Sequence, residues 1–265
     1  MRILNCVSKI VTVIVLSLTV LACSKPSPNT LVVGTISGPE TDLVDVAQKV
    51  ALERYGLTIK IIEFNDYNLP NEALQDGTLD ANVYQHLPYL QAASKAHGYD
   101  LEVIGKTFVY PTGLYSSKIK SLSKLPDHAL IALPNDPSNE ARALLLLQKA
   151  GLITLKRSGN TTIRDIASNP RKLQFKELDA AQLPRILTDV DAAVINTTFA
   201  IPAGLNPSRD ALFLENKNSP YANLIVIRRG SNKKAQLELF VKALNSNEVK
   251  EKAHALFGGA AITAW

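Results

Sequence analysis

Arg142 is the residue whose type and position most clearly suggest chemistry. It lies about one and a half turns into a predicted helix that opens at Asp136-Pro137. A helix N-terminus attracts anions because its first N–H groups are unpaired and its dipole is positive there. An arginine beside it adds a planar, two-pronged donor that matches a carboxylate. The pattern indicates a carboxylate site, but a surface arginine paired with Glu140 or with solvent explains it equally well.

Four aromatic side chains within 23 residues form a second candidate group, and they lie in or after predicted strand ends: Tyr67, Tyr84, His86 and Tyr89. Aromatic walls suit a flat or thioether-bearing apolar group, since a sulfur near a ring edge gains roughly 0.3–1.5 kcal/mol. Rings that simply pack the core are the more common outcome of such a pattern. The residues alone therefore leave both interpretations open.

Asn196 and Asn223 flank predicted strands, where neutral amides could hold an ammonium or a carboxylate group. Most loop asparagines only form turns, so each one alone is weak evidence. The sequence contains no Gly-x-Ser-x-Gly, no His-Glu-x-x-His and no glycine-rich phosphate loop, and its four histidines are not at metal-ligand spacing. We therefore expect no metal and no cofactor. These absences argue against a hydrolase or a nucleotide-dependent enzyme, but they do not exclude a lyase.

The N-terminus predicts export and lipidation. Arg2 and Lys9 form a basic head before an uncharged run over residues 10–22, which is shorter than the roughly 20 residues that a membrane span needs. The run ends in VLAC, which resembles a bacterial lipobox. We predict a signal peptide over residues 1–22, lipid on Cys23 and a tether over residues 23–29. A buried apolar helix that happens to contain a cysteine is the alternative.

Composition narrows the class of protein. With 46% hydrophobic and 20% charged residues, the 265-residue chain is neither disordered nor a polytopic membrane protein. Cys6 lies in the predicted signal and Cys23 is the predicted lipid site, so the mature body offers no cysteine for zinc or for nucleophilic catalysis. The net charge of +5 comes without a basic stripe, which argues against a nucleic-acid partner.

The elements that must position these side chains predict a two-lobe α/β protein. Residues 31–109 alternate strand and helix, as in a mostly parallel sheet covered by helices. A capping-box pattern over residues 37–40 predicts the start of the first helix. After Pro111 and Gly113 a second α/β series follows, including a predicted helix over residues 180–188. Ligands of open α/β sheets bind outside the carboxyl ends of the strands, where the candidate residues fall.

The sequence resembles the methionine-binding lipoproteins, the NlpA/MetQ family of substrate-binding proteins of ABC importers. The resemblance spans essentially the whole predicted mature chain and depends on many short strings that occur in the same order. The matching strings are FNDY (64–67), PNEAL (70–74), DANVYQH (80–86), PYL (88–90), TFVYP (107–111), PNDPSN (134–139) with Arg142, AVINTT (193–198), SPYANLIV (219–226) and Trp265.

The resemblance implies a type II periplasmic-binding-protein fold whose lobes close on one amino acid by hinge motion. It implies one lobe over residues 30–110 plus 227–265 and another over residues 111–226. It also implies ligand contacts, with Arg142 on the carboxylate, Asn196 and Asn223 on the head group, and Tyr67, Tyr84, His86 and Tyr89 around the thioether. Tyr84 stands where the family usually has Phe, so its hydroxyl needs a partner in a dry pocket.

The expected function is capture of methionine and its delivery to an ABC permease with its ATPase, by a monomer held at a bacterial membrane through its lipid. Three alternatives stay open. The ligand could be a related amino acid or a methionine-containing peptide. The scaffold could be a small-acid lyase with His86 as base and Arg142 as clamp. The chain could also be a surface lipoprotein whose site is vestigial.

Overall fold

The computed structural model describes residues 29–156, 161–216 and 219–265 of the chain. Its two main sheets belong to two α/β lobes that face each other across a cavity. The predicted two-lobe α/β architecture is therefore confirmed. The predicted signal peptide, Cys23 and all but the last residue of the tether fall outside the described residues. No helix within the described ranges is both long and apolar enough to cross a bilayer.

The first lobe contains a mixed six-stranded sheet. In spatial order its strands are β13 (Ile262–Thr263), β4 (Leu101–Val109), β12 (Ala222–Arg228), β3 (Ala81–His86), β1 (Thr30–Ile36) and β2 (Thr58–Phe64). Strand β1 pairs in parallel with β2 and β3, whereas β12 runs antiparallel between β3 and β4. The register places Asn223 of β12 opposite His86 of β3, at the carboxyl end of β3. Two candidate residues thus meet at one edge of the sheet.

The second lobe contains a five-stranded sheet and a small hairpin. The strands of the sheet are β11 (Phe213–Leu214), β5 (Gly113–Tyr115), β10 (Ala192–Ile195), β6 (Leu130–Pro134) and β9 (Gln174–Leu178), and the hairpin joins β7 (Thr154–Leu155) to β8 (Ile166–Ser168). Strands β10, β6 and β9 are parallel, so their carboxyl ends share one edge. The chain that leaves β6 and β10 at this edge carries Arg142 and Asn196.

The helices cover the sheets and several of them begin at the cavity. They are α1 (Pro39–Tyr55), α2 (Leu69–Gln75), α3 (Leu87–His97), α4 (Pro137–Lys149), α5 (Thr197–Ala200), α6 (Pro207–Asp210), α7 (Lys234–Leu244) and α8 (Asn247–Phe257). In the first lobe, apolar side chains of α1, α7 and α8 bury the main core against the sheet. A separate core in the second lobe packs one face of α4 against β6 and β10. Each lobe therefore has its own core, which leaves the surface between them free to form a site.

Within the described residues, two crossings connect the lobes: residues 110–112 after β4, and a second stretch before β12 of which residues 215–216 and 219–221 are described. The predicted second boundary, between residues 226 and 227, is wrong, because β12 from Ala222 onward pairs with β3 and β4 of the first sheet. The apolar pattern of this strand marks it as buried, but only strand pairing decides which sheet it joins.

Two local predictions are also wrong. The predicted helix over residues 180–188 is a single 3-10 turn at Ala180–Gln182 followed by turns. Pro184 lies inside this segment and provides no N–H for a helical hydrogen bond. The predicted capping box is absent from α1, whose N-cap is Gly38 with no side-chain cap hydrogen bond. Gly38 has a φ of 124°, a conformation that favours glycine, and this frees the Glu40 side chain for another role.

Candidate functional site

A cavity lies between the lobes, at the carboxyl ends of β3, β6 and β10, with an empty volume of about 340 Å³. All seven predicted binding residues line it. The lining consists of Tyr67, Tyr84, Gln85, His86, Tyr89, Tyr110, Asn139, Arg142, Asn196, Thr197, Thr198 and Asn223. The structure thus brings the candidate residues together around one space, and we refer to two parts of its lining as the aromatic wall and the polar wall.

The aromatic wall consists of Tyr67, Tyr84 and Tyr89, whose ring centroids lie 5.7–5.8 Å apart in pairs. The hydroxyls of Tyr84 and Tyr89 both donate to the backbone carbonyl of Tyr67, at 3.2 Å and 2.7 Å. This carbonyl is the partner that the Tyr84 hydroxyl needs. Burial holds the pKa of the Tyr84 and Tyr67 hydroxyls well above 10, so the wall is uncharged. Three rings fixed in this way form an apolar surface that can pack around a slender side chain.

His86 connects the two walls. It ends β3 and caps α3, because its Nδ1 accepts a hydrogen bond of 3.2 Å from the Tyr89 N–H. Its Nε2 therefore carries the proton and donates to Asn139 Oδ1 at 3.4 Å. Burial, and then the charge of Arg142, lowers the pKa of His86 to about 3. Both ring nitrogens are occupied and the ring is neutral, which leaves no lone pair for the role of base in the lyase alternative.

The polar wall consists of Arg142, Asn196 and Asn223. Arg142 is only 4% exposed, so the alternative of a surface arginine is wrong. Its Nε and Nη2 donate to the Glu215 carboxylate, and Nη2 also donates to the Tyr110 carbonyl at 2.9 Å. The ring of Tyr221 lies 4.3 Å below the guanidinium carbon. Among the described residues Nη1 has no hydrogen-bond partner, which makes it the donor that the arginine presents to the cavity.

Glu215 ties this arginine to both crossings between the lobes. The Glu215 N–H donates to the Thr112 carbonyl at 2.9 Å, and the Thr112 N–H donates to the Glu215 carboxylate at 3.3 Å. Tyr110, which accepts from Arg142, belongs to the first crossing, whereas Glu215 and Tyr221 belong to the second. The direction in which the guanidinium points is therefore fixed by the segments that would bend in a hinge motion.

Asn196 is held so that it presents an oxygen. Its Nδ2 donates to Asn139 Oδ1 at 2.8 Å, and Asn139 in turn donates to both carboxylate oxygens of Asp136, the N-cap of α4. The Asp136 carboxylate can only accept, so it fixes the orientation of each amide in the chain. Asn196 Oδ1 is buried and has no hydrogen-bond partner among the described residues. A buried free acceptor at a cavity is a place where a ligand donor fits.

Asn223, in the other lobe, also presents its amide oxygen to the cavity. Its Nδ2 donates to the carboxyl of Glu40 and, at 3.0 Å, to the backbone carbonyl of Tyr84. Both of its N–H groups are used in this way, so Asn223 also presents Oδ1. Glu40 is buried, and desolvation raises the pKa of its carboxyl to about 8 despite the nearby Thr198 and Asn223. Glu40 thus lies behind the polar wall, and no cation among the described residues forms a salt bridge with it.

The lobes contact each other directly around the cavity. The rings of Tyr67 and Phe199 lie 4.9 Å apart, and Asn68 donates to Asp179 across the gap at 3.4 Å. Between the same two lobes, a Cβ added to Gly38 would lie 2.9 Å from Pro202 Cγ. These contacts close the lobes over the cavity, so that a bound molecule would contact both lobes.

Sequence reasoning missed four residues that determine this geometry: Glu40, Asn139, Glu215 and Tyr221. Asn139 and Tyr221 lie in two of the strings that carry the family resemblance, PNDPSN and SPYANLIV, and that position was the available signal. In the sequence, Glu40 has only the spacing of a helix-capping residue. Glu215 carries no local signal at all, because its partner is 73 residues away in the sequence.

Comparison with known proteins identifies relatives of this chain. The sequence model of the NlpA lipoprotein family matches residues 31–265. The chain is 48% identical over 255 residues to the D-methionine-binding lipoprotein MetQ of Escherichia coli, a match that covers 94% of each chain. The chain belongs to the NlpA lipoprotein family.

Solved structures related to this NlpA family member have the same fold. A periplasmic substrate-binding protein of an ABC transporter from Coxiella burnetii is 59% identical, with a TM-score of 0.86 and coverage of 88% of this chain and 100% of that one. A nutrient-binding protein from Burkholderia cenocepacia, solved bound to methionine, is 51% identical, with a TM-score of 0.86 and coverage of 89% and 100%. The expected periplasmic-binding-protein fold is thereby confirmed, and so is the predicted family.

Proposed function

We propose that this lipoprotein binds methionine in the cavity between its lobes and delivers it to an ABC importer. The observation that carries the proposal is the polar wall, in which one arginine donor and two amide oxygens converge on a closed space next to three tyrosine rings. This set of groups matches a free amino acid with an apolar side chain. The methionine named for relatives at about 50% identity supports this choice of ligand.

The polar wall suits the two charges of a zwitterion. Nη1 of Arg142 would donate to the carboxylate, because Nε and Nη2 are already bound to Glu215 and Tyr110. The Oδ1 atoms of Asn196 and Asn223 would accept from the ammonium group. In a closed, low-dielectric cavity such charge-assisted hydrogen bonds are roughly twice as strong as neutral ones. These roles correspond to the predicted ones for all three residues.

The aromatic wall suits the thioether. Tyr67, Tyr84 and Tyr89 offer ring faces and edges, and the hydroxyls of Tyr84 and Tyr89 are occupied by hydrogen bonds to the Tyr67 carbonyl. His86 contributes a neutral edge, since its ring packs at 5.0 Å against Tyr221 and at 6.4 Å against Tyr89. The closed lobes favour a single amino acid over a peptide, because a peptide would have to continue through the contacts at the rim.

Binding and release, rather than catalysis, is the activity that this site supports. The neutral His86 has no free lone pair, and we propose that the protein acts without a cofactor, as a monomer. Residues 1–22 would be removed on export and Cys23 would carry lipid, which holds the binding protein at the membrane where the importer lies. Because one acyl chain anchors only weakly, more than one is expected on the mature N-terminus.

The direct test is to identify what the native protein binds. Mass spectrometry of ligand carried through purification should detect methionine. After that ligand is removed by unfolding and refolding, added L-methionine should raise the melting temperature, because a ligand that binds only the folded state stabilises it. D-methionine and other amino acids serve as comparison ligands. A shift with another amino acid and none with either methionine isomer would refute the proposed ligand.

A further inference from the structure

Glu40 is a carboxyl group buried behind the polar wall. It lies in the first turn of α1 and accepts a hydrogen bond from Asn223 Nδ2, while its other oxygen, Oε2, is buried and has no hydrogen-bond partner among the described residues. It is not part of the cavity lining. A buried carboxyl costs stability unless it is well paired, so its place beside Asn223 requires a reason.

Glu40 restricts the orientation of the Asn223 side-chain amide. An asparagine amide can rotate by 180° and present either an acceptor or two donors. Asn223 Nδ2 donates to both Glu40 Oε1 and the Tyr84 carbonyl, so a rotated amide would lose the bond to Oε1 and would place Oδ1 against the Tyr84 carbonyl, which can only accept. Only the orientation with Oδ1 toward the cavity satisfies both contacts. Among the groups facing Glu40, Tyr67 and Tyr110 are titratable and uncharged, and Thr198 supplies a hydroxyl.

We propose that Glu40 is a positioning residue that locks the Asn223 oxygen toward the cavity and so makes the site select ligands that carry an ammonium group. This inference rests on the proposed function and explains why the site would prefer ligands that carry an ammonium group. A hydroxyl or a hydrogen in the place of the ammonium would offer the two amide oxygens fewer donors. A site without Glu40 would let Asn223 turn and accept such ligands more easily.

The test compares two probes by isothermal titration calorimetry, L-methionine and 2-hydroxy-4-(methylthio)butanoate, which has a hydroxyl in the place of the ammonium. In Glu40→Ala the affinity for L-methionine should fall about tenfold, while the affinity for the hydroxy acid changes by less than about threefold. Glu40→Gln keeps an oxygen that can accept from Asn223, so it should restore the ratio of the two affinities to within about threefold of the parent.

Asn223→Ala provides an independent arm that leaves α1 unchanged. It should lose the same selectivity, and adding Glu40→Gln to it should change the ratio no further. Equal loss of both probes in Glu40→Ala, or a Glu40→Gln variant as unselective as Glu40→Ala, would overturn the positioning role. If the parent protein binds neither probe, the proposed function fails instead, so the two failures are distinguishable.

Discussion

The aromatic wall and the polar wall of the cavity are built in different ways. The three tyrosines of the aromatic wall lie within residues 67–89 of one lobe, and two of them bond to the backbone of the third. The polar wall needs Arg142 and Asn196 from one lobe, Asn223 from the other, and buried carboxyls at residues 40 and 215. One wall is assembled locally, and the other exists only when both lobes and both crossings are in place.

This difference predicts how each wall responds to mutation. A change in the aromatic wall removes contacts but leaves the hinge segments unaltered. Loss of Arg142 leaves the buried Glu215 carboxylate without its cation, and loss of Asn223 removes the hydrogen bond that Glu40 accepts from it. Leaving one member of a buried ion pair unpaired is costly, so damage to the polar wall should affect affinity and stability together.

The largest expected effect is that of Arg142→Ala. Loss of the guanidinium should weaken L-methionine binding by about 2–5 kcal/mol, which is about 30- to 5,000-fold, and calorimetry measures this loss. It should also lower the melting temperature, because Glu215 is left buried and unpaired. The double variant Arg142→Ala/Glu215→Ala should regain stability without regaining binding. Retained affinity in the single variant would contradict the predicted contact between Arg142 and the carboxylate.

The second-largest expected effect is a pH dependence of the free energy of unfolding of the ligand-free protein. The pKa of Glu40 is about 8 in the folded protein against 4.5 for the free group, so the folded state holds a proton that the unfolded state has lost. The free energy of unfolding should therefore fall as the pH rises from 6.5 to 8, by about 2 kcal/mol. The window begins at the ordinary histidine pKa of 6.5, so most of the opposite contribution of the depressed His86 lies below it.

Glu40→Gln is the matched variant for this measurement. Because glutamine does not titrate, urea unfolding of this variant should show a flatter dependence between pH 6.5 and 8 than the parent shows. Identical slopes in the two proteins would mean that Glu40 is not the group that loses its proton in this range.

A smaller effect should follow from Gly38→Ala, which tests closure rather than either wall. The φ of 124° makes alanine strained at this position, at a cost of about 1–3 kcal/mol in stability. Its Cβ would also lie 2.9 Å from Pro202 Cγ of the other lobe, so closure and methionine affinity should suffer, by about three- to tenfold. In a Pro202→Ala background the affinity should recover while the loss of stability remains. Equal affinity losses in both backgrounds would exclude the contact between the lobes as the cause.

The smallest expected effect is that of Tyr84→Phe, in the aromatic wall. The Tyr67 carbonyl keeps its shorter bond of 2.7 Å from Tyr89, so loss of the 3.2 Å bond from Tyr84 should change the affinity by less than about 1 kcal/mol. Tyr89→Phe is the control and should have the larger effect of the two. A Tyr84→Phe effect as large as that of Arg142→Ala would remove the contrast between the walls.

Several features of the fold follow from local sequence. The helix from Pro137 to Lys149 is predicted from its start signal and its periodicity, and the stop at Gly98 follows from the left-handed conformation that glycine adopts there. Where a local signal competes with tertiary contacts, the prediction fails. Glu40 has the spacing of a capping residue, yet Asn223, 183 positions away, is its partner.

The sequence by itself determined the alternation of strands and helices, the cluster of tyrosines between residues 67 and 89, and the family. These features depend on patterns within a few tens of residues, where spacing and side-chain type are sufficient. Tertiary structure alone decided that β12 returns to the first sheet, that Glu215 aims Arg142, and that both amides present oxygen. Those outcomes depend on contacts between residues 57 to 183 positions apart, and the energy of such contacts exists only after the chain has folded.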